Sequence, residues 1–147
     1  MSRSVNGQHS IGQPAWLWIA GLCWVAVILA AGVLPLNNFV GHSHWDSIVW
    51  YPSFDWLNSP RILLRIFVDV AANILLFVPL GWIWVQHFSL KGWRPCLSAI
   101  LIGFFLSLGI ELYQVYCHSR FPSLLDLVAN TGGTYWGARL GRKGLIL

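Results

Sequence analysis

Charge is what this chain lacks. Only 10% of its 147 residues are charged, and Asp and Glu together number five. With 56% hydrophobic residues and ten Trp, it has too little polar surface to clothe a globule in water. That balance excludes an ordinary soluble domain and indicates an integral membrane protein. Cysteine is scarce as well: Cys23, Cys96 and Cys117 are far apart and odd in number, offering no closed disulfide framework, no CxxC and no zinc spacing. They are expected to be buried thiols acting as small hydrophobes. A P-loop, a dinucleotide fingerprint and a Ser-His-Asp arrangement are missing, as are internal repeats and low-complexity tracts. The net charge of +4 has no basic stripe behind it, so nucleic acid is not an expected partner and the excess reads as a topology signal.

What the chain does have is long apolar runs, and these predict an all-α, polytopic membrane bundle of four transmembrane helices. A polar tail (1–14) precedes a membrane domain over 15–140, and a basic tail (141–147) follows it. The first span, 15–34, carries Trp16, Trp18 and Trp24 and no ionisable group, and it reads as an uncleaved anchor, being longer than a signal-peptide core. Residues 36–60 contain Trp45, Trp50, Tyr51, Phe54 and Trp56 with Asp46 and Asp55, a mixture suited to the headgroup level of a bilayer. Asn58-Ser59-Pro60 then starts a second span, 62–84, as a capping side chain followed by proline. Inside it, Pro79 should kink the helix and free the carbonyl of Leu75. The third span covers 97–117 and the fourth 123–140. The fourth is the least hydrophobic, but its run Thr131-Gly132-Gly133-Thr134 and Gly137 let backbones approach closely in lipid, so it should be central and protein-packed.

Four spans put both termini on one side with the loop between spans two and three. That side holds Arg3, Lys91, Arg94, Arg139, Arg142 and Lys143, against Arg61, Arg65 and Arg120 on the other. The positive-inside rule then makes both termini cytoplasmic, in the inner (cytoplasmic) membrane.

Three of the five acids, Asp69, Glu111 and Asp126, fall within or at the ends of spans. Each costs about 2.5–3.5 kcal/mol there unless paired or hydrated. Arg61, Arg65, Asp69 and Asn73 recur every four residues on one helical stripe. At about 1.5 Å per residue from the outer ends, Asp69, Glu111 and Asn130 lie about 9–11 Å deep, and Arg65, Gln114 and Asp126 about 4–5 Å deep. The polar groups are therefore expected to share one outward-facing pocket, with Arg120 on the loop above. Plainer roles compete: Ser123-x-x-Asp126 matches a capping box, Arg65 and Asp69 suit a helical ion pair, and Asn73 and Asn130 suit interhelical hydrogen bonds. Glu111 has no helix-spaced basic partner and is not near a cap.

Asp69-x-x-x-Asn73, Phe77-Val78-Pro79-Leu80-Gly81, Glu111-x-x-Gln114, Arg120, Asp126-x-x-x-Asn130, Gly133 and Gly137 together resemble the signature of the VanZ-like membrane proteins. The resemblance covers residues 62–140. It implies a small multi-helix protein of the bacterial envelope, in a family whose founding member is associated with resistance to a teicoplanin-type glycopeptide, and it supplies no reaction.

The leading expectation is a pocket that binds, and can modify, an anionic membrane lipid or lipid-linked envelope precursor. Glu111, Asp126 and Asp69 are the candidate proton-transfer or cation-binding groups, with Mg²⁺ or Ca²⁺ as ions suited to their hard oxygens. Arg65 and Arg120 are candidate headgroup anchors, and Asn73, Gln114 and Asn130 orient the ligand. A non-enzymatic scaffold is the alternative. A proton-coupled transporter is less favoured, because nothing ionisable marks the inner half of the spans.

Overall fold

A computed structural model describes residues 14–50, 59–88 and 93–144. Most of the polar tail, Tyr51, Phe54, Asp55, Trp56, Asn58, Lys91 and the last three residues lie outside the described residues. Within them the chain is all-helical, with helices α1 (Ala15–Val33), α2 (Pro60–His87), α3 (Arg94–Gln114) and α4 (Leu124–Gly144) and two short 3-10 turns. Its only extended pairing is two isolated bridges, Phe39 with Cys117 and Val49 with Ser123. The expected spans are all present as helices with shifted ends. Helices α2 and α3 begin earlier because Pro60 and Pro95 occupy first turns, where a missing N–H leaves no bond unmade. Ser59 is the N-cap of α2, but through its carbonyl, which accepts from Ile62 and Leu63, and not through its side chain.

Three helices, α1 to α3, are long and apolar enough to cross a membrane, and α4 is not among them. The first two leave large apolar side chains uncovered, among them Leu22, Phe67 and Leu75, each about 70% exposed, as a lipid-facing surface would. Cys96 and Cys117 are buried as expected, whereas Cys23 is exposed on α1.

The bundle is built around α2 and α4, which share its most extensive contact. Glycine makes that contact possible. A Cβ at Gly133 would strike the carbonyl of Ile74, one at Gly137 the carbonyl of Val78, and one at Gly81 the carbonyl of Thr134. Residue numbers rise together across this seam, so the two helices run parallel. Helix α3 runs opposite to both: Gly103 packs on Thr134, and the Cys96 thiol lies against the Ala138 carbonyl. Ile28, Phe77, Leu80 and Ile110 form one core cluster, and Val85, Cys96, Ala99 and Ala138 another.

Helix α1 packs antiparallel to α2, and its Trp24 indole N–H donates to the carbonyl of Leu76 at 2.9 Å. Pro79 lies just beyond, and α2 runs on through it as one helix. After α1 the chain folds over the α3–α4 loop. Val40 and His44 donate to the carbonyls of Tyr116 and Val115, and Val49 donates to Pro122 and accepts from Leu124. These bonds close one end of the bundle, and the described aromatics of this segment, Trp45 and Trp50, are exposed on it.

Candidate functional site

The polar residues converge beneath that closed end. On α3, Glu111 is only 8% exposed, and its Oε2 accepts the backbone N–H of Ser123 at 2.7 Å. This corrects the reading that Glu111 is not near a cap: its carboxylate caps α4 from another helix. The capping box is therefore split. Ser123 Oγ accepts from the Asp126 N–H at 3.4 Å, but the Ser123 N–H, which a box would give to Asp126, is taken by Glu111. The Asp126 carboxylate is left facing the interior, with Asn73, Asp69 and Arg120 as its polar neighbours.

One turn further along α4, Asn130 is 4% exposed and donates through Nδ2 to Ser107 Oγ at 2.9 Å. Its Oδ1 is buried without a partner. Gln114 donates to the carbonyl of Gly32 at 3.1 Å, which ties α3 to the end of α1. Arg120 reaches the same end, where one guanidinium nitrogen donates to the carbonyls of Ala31 and Leu34, each at 3.2 Å. It thereby satisfies carbonyls that a helix end leaves open.

A cavity of about 330 Å³ joins these groups. Asp69, Asn73, Glu111, Gln114, Arg120, Asp126 and Asn130 all line it, drawn from α2, α3, α4 and the α3–α4 loop. Arg65 does not. It lines a neighbouring recess of about 350 Å³, mostly apolar, with Ile62, Ile66 and Val70, and Asp69 and Asp126 form the shared wall. The reason is rotational: at 3.6 residues per turn, each four-residue step along α2 turns a side chain by roughly 40°, so Arg65 and Asn73 face different sides.

Three carboxylates stand against one guanidinium in the cavity, with a second guanidinium in the adjoining recess, and the acceptors lie deepest. Glu111 and Asn130 are buried, Asp126 and Asn73 are half-buried, and Asp69 and Arg120 are exposed at the mouth. Such a graded site can take a proton, a cation or a hydrogen-bond donor at its floor and an anion at its rim. Among the described residues, no three of His, Cys, Asp and Glu come together as a metal site, so Mg²⁺ or Ca²⁺ would have to rest on one or two carboxylates, the amides and water.

Three contributors escaped the sequence reading. Ser107 lies one turn before Glu111 on the same face, so its spacing was a usable signal. The Ser123 N–H had none, and neither did Asn38, whose Oδ1 accepts from the N–H and hydroxyl of Ser119 at 3.1 and 2.9 Å.

No curated protein and no solved structure matches the chain. The VanZ/LLP1 family, however, matches residues 17–145, a stretch that takes in α2 to α4, all of α1 but Ala15 and Trp16, and every residue lining the cavity. The chain is thus a member of the VanZ/LLP1 family.

Proposed function

We infer that the cavity binds the phosphate-bearing head of an anionic membrane lipid or of a lipid-linked envelope precursor, and that its carboxylates equip it to modify that head. The observation that carries this reading is the pairing of two chambers across one wall. A polar cavity with Arg120 at its mouth adjoins a mostly apolar recess holding Arg65, and Asp69 and Asp126 separate them. That layout suits an amphiphile whose chain runs along the apolar side and whose head turns inward. Guanidinium groups match phosphate through planar, paired donors. In this reading α4 is a fourth membrane-embedded helix, excused from high apolarity because α2 and α3 shield it. Both termini are cytoplasmic in the inner membrane, the cavity faces outward, and the aromatic segment after α1 lies at the headgroup level.

Native mass spectrometry of detergent-extracted protein tests the reading, with wild type beside Arg120→Ala, Arg65→Ala and Glu111→Gln. A defined phospholipid or polyprenyl-linked species that co-purifies with wild type should be depleted in the variants. Equal occupancy in all four proteins would defeat the assignment. Arg65→Ala is the safer variant, because among the described residues no side-chain bond of Arg65 holds the fold, whereas Arg120 holds α1.

Specific contacts also favour a scaffold reading. Glu111, Gln114 and Arg120 each tie separate elements together. A pure scaffold predicts that every phenotype of these variants follows protein amount and thermal stability, with no lipid lost.

A further inference from the structure

The chemistry of the bound head can be narrowed, on the reading that the cavity takes a phosphate-bearing lipid. Its lining is mismatched to a phosphate alone. Asp69, Glu111 and Asp126 face the cavity from three helices, and the one guanidinium that lines it, Arg120, sits at the exposed mouth with part of its donor set on α1 carbonyls. An anion is drawn to that rim and repelled from everything below it.

The floor states its preference through an unfilled bond. Asn130, which lines the cavity, is 4% exposed; its Nδ2 is fixed on Ser107 Oγ, and its Oδ1 is buried with no partner. Buried acceptors are rarely left so. Beside it stand more acceptors: the carboxylates of Glu111, Asp126 and Asp69 offer no donor when ionised, and Gln114, with one amide N–H on Gly32, keeps its carbonyl oxygen. A group with several donors and a positive charge answers all of these at once. A primary ammonium has three N–H donors and no acceptor.

We propose that the cavity receives the primary ammonium of an aminoalkyl-phosphate headgroup on Glu111 and Asp126, with the unpaired Asn130 Oδ1 as the acceptor behind them, while the phosphate stays at the rim on Arg120. The head is therefore zwitterionic at the site, with its phosphate outermost, which keeps the phosphate of the proposed reading and drops its net negative charge. Asp69, on the wall between the two chambers, lies on the path of the ammonium as it moves inward.

The test is competition in mixed micelles. Full-length protein is incubated with equimolar dioleoyl phosphatidylethanolamine, its N-acetyl derivative and dioleoyl phosphatidylglycerol, and retained lipid is read by native mass spectrometry. The three share phosphate and chains, but only the first has an ammonium, and phosphatidylglycerol offers hydroxyl donors without charge. Wild type should hold the ethanolamine lipid about tenfold over either competitor, the ratio that one lost charged contact commonly produces. Asp126→Asn should bring that preference to within about twofold. Asp69→Asn, at an exposed position that the fold tolerates, should do the same and guards against a misfolded floor variant. Equal retention of all three lipids, or of the ethanolamine and glycerol lipids, overturns the ammonium site while leaving phosphate recognition standing. Retention of none of them overturns both readings.

Discussion

Gly137→Ala probes the seam that positions the whole cavity. A Cβ there would land on the carbonyl oxygen of Val78, 2.8 Å from the carbonyl carbon of Val78 and 2.9 Å from the amide nitrogen of Trp82. Non-bonded carbons settle at about 3.5–4.0 Å, so α2 and α4 have to part by roughly 1 Å. Every obstructing atom is backbone, and none can rotate away. Overpacking of this kind costs about 1–3 kcal/mol. Alanine's better helix propensity returns about 1 kcal/mol, leaving a net loss of up to about 2 kcal/mol. Gly132, on the same helix, meets nothing within 4 Å. Gly132→Ala keeps the helix gain without the clash, so its sign is opposite. Melting in detergent, followed by the emission of the ten Trp, gives the comparison directly. At about 2–4 °C per kcal/mol for a chain of this size, Gly137→Ala lowers Tm by several degrees and Gly132→Ala raises it slightly. Equal shifts in the two variants would refute the parallel glycine seam, because the substitutions differ only in what the new methyl meets.

Ser107→Ala strips Asn130 of its only acceptor and should cost about 1–3 kcal/mol, so an unchanged melting temperature would contradict the bond. Arg120→Ala uncaps the end of α1, and amide exchange over residues 31–34 should quicken by about tenfold, with Arg120→Lys intermediate; identical exchange in all three proteins would sink the cap. His118→Cys, exposed on the α3–α4 loop, should react with an impermeant maleimide from outside intact cells in a background where Cys23 is replaced by Ser. Labelling that appears only after lysis would reverse the orientation proposed for the cavity.

Much of this arrangement was readable from the chain because two of its geometric constants are fixed. Rise per residue is one, and it brought Asp69, Glu111 and Asn130 to a common depth from three separate helices. Glycine's missing Cβ is the other: Gly133 and Gly137 have little use in an apolar helix except close approach, and they foretold that α4 would be packed against protein. The failures have a shared cause. Arg65 left the cavity because a four-residue stripe rotates as it climbs. Glu111 caps α4 through the N–H of Ser123, twelve residues later, and Arg120 serves carbonyls up to 89 residues away. Bonds from a side chain to distant backbone leave no periodicity to read, since any residue could supply the backbone atom. The same holds for the fold of residues 36–50 over the α3–α4 loop, which rests on main-chain pairing together with the Asn38 side chain and the stacking of Phe39 on Tyr113.

Parallel packing of α2 and α4 has an electrostatic consequence. Four helix termini lie at the cavity's end of the bundle: the starts of α2 and α4, and the ends of α1 and α3. A helix start carries about +0.5 of a charge and a helix end about −0.5, so the four macrodipoles sum to roughly nothing. They are not evenly spread, however. Asp126 and Glu111 sit on the positive pole of α4 and Arg120 on the negative pole of α1, each charge eased by the backbone beneath it. Poles and side chains together leave the α4 wall the more negative and the α1 wall the more positive. A field therefore crosses the cavity from α1 toward α4, and on the proposed reading a headgroup with two opposite ends is turned into one orientation before it touches either wall.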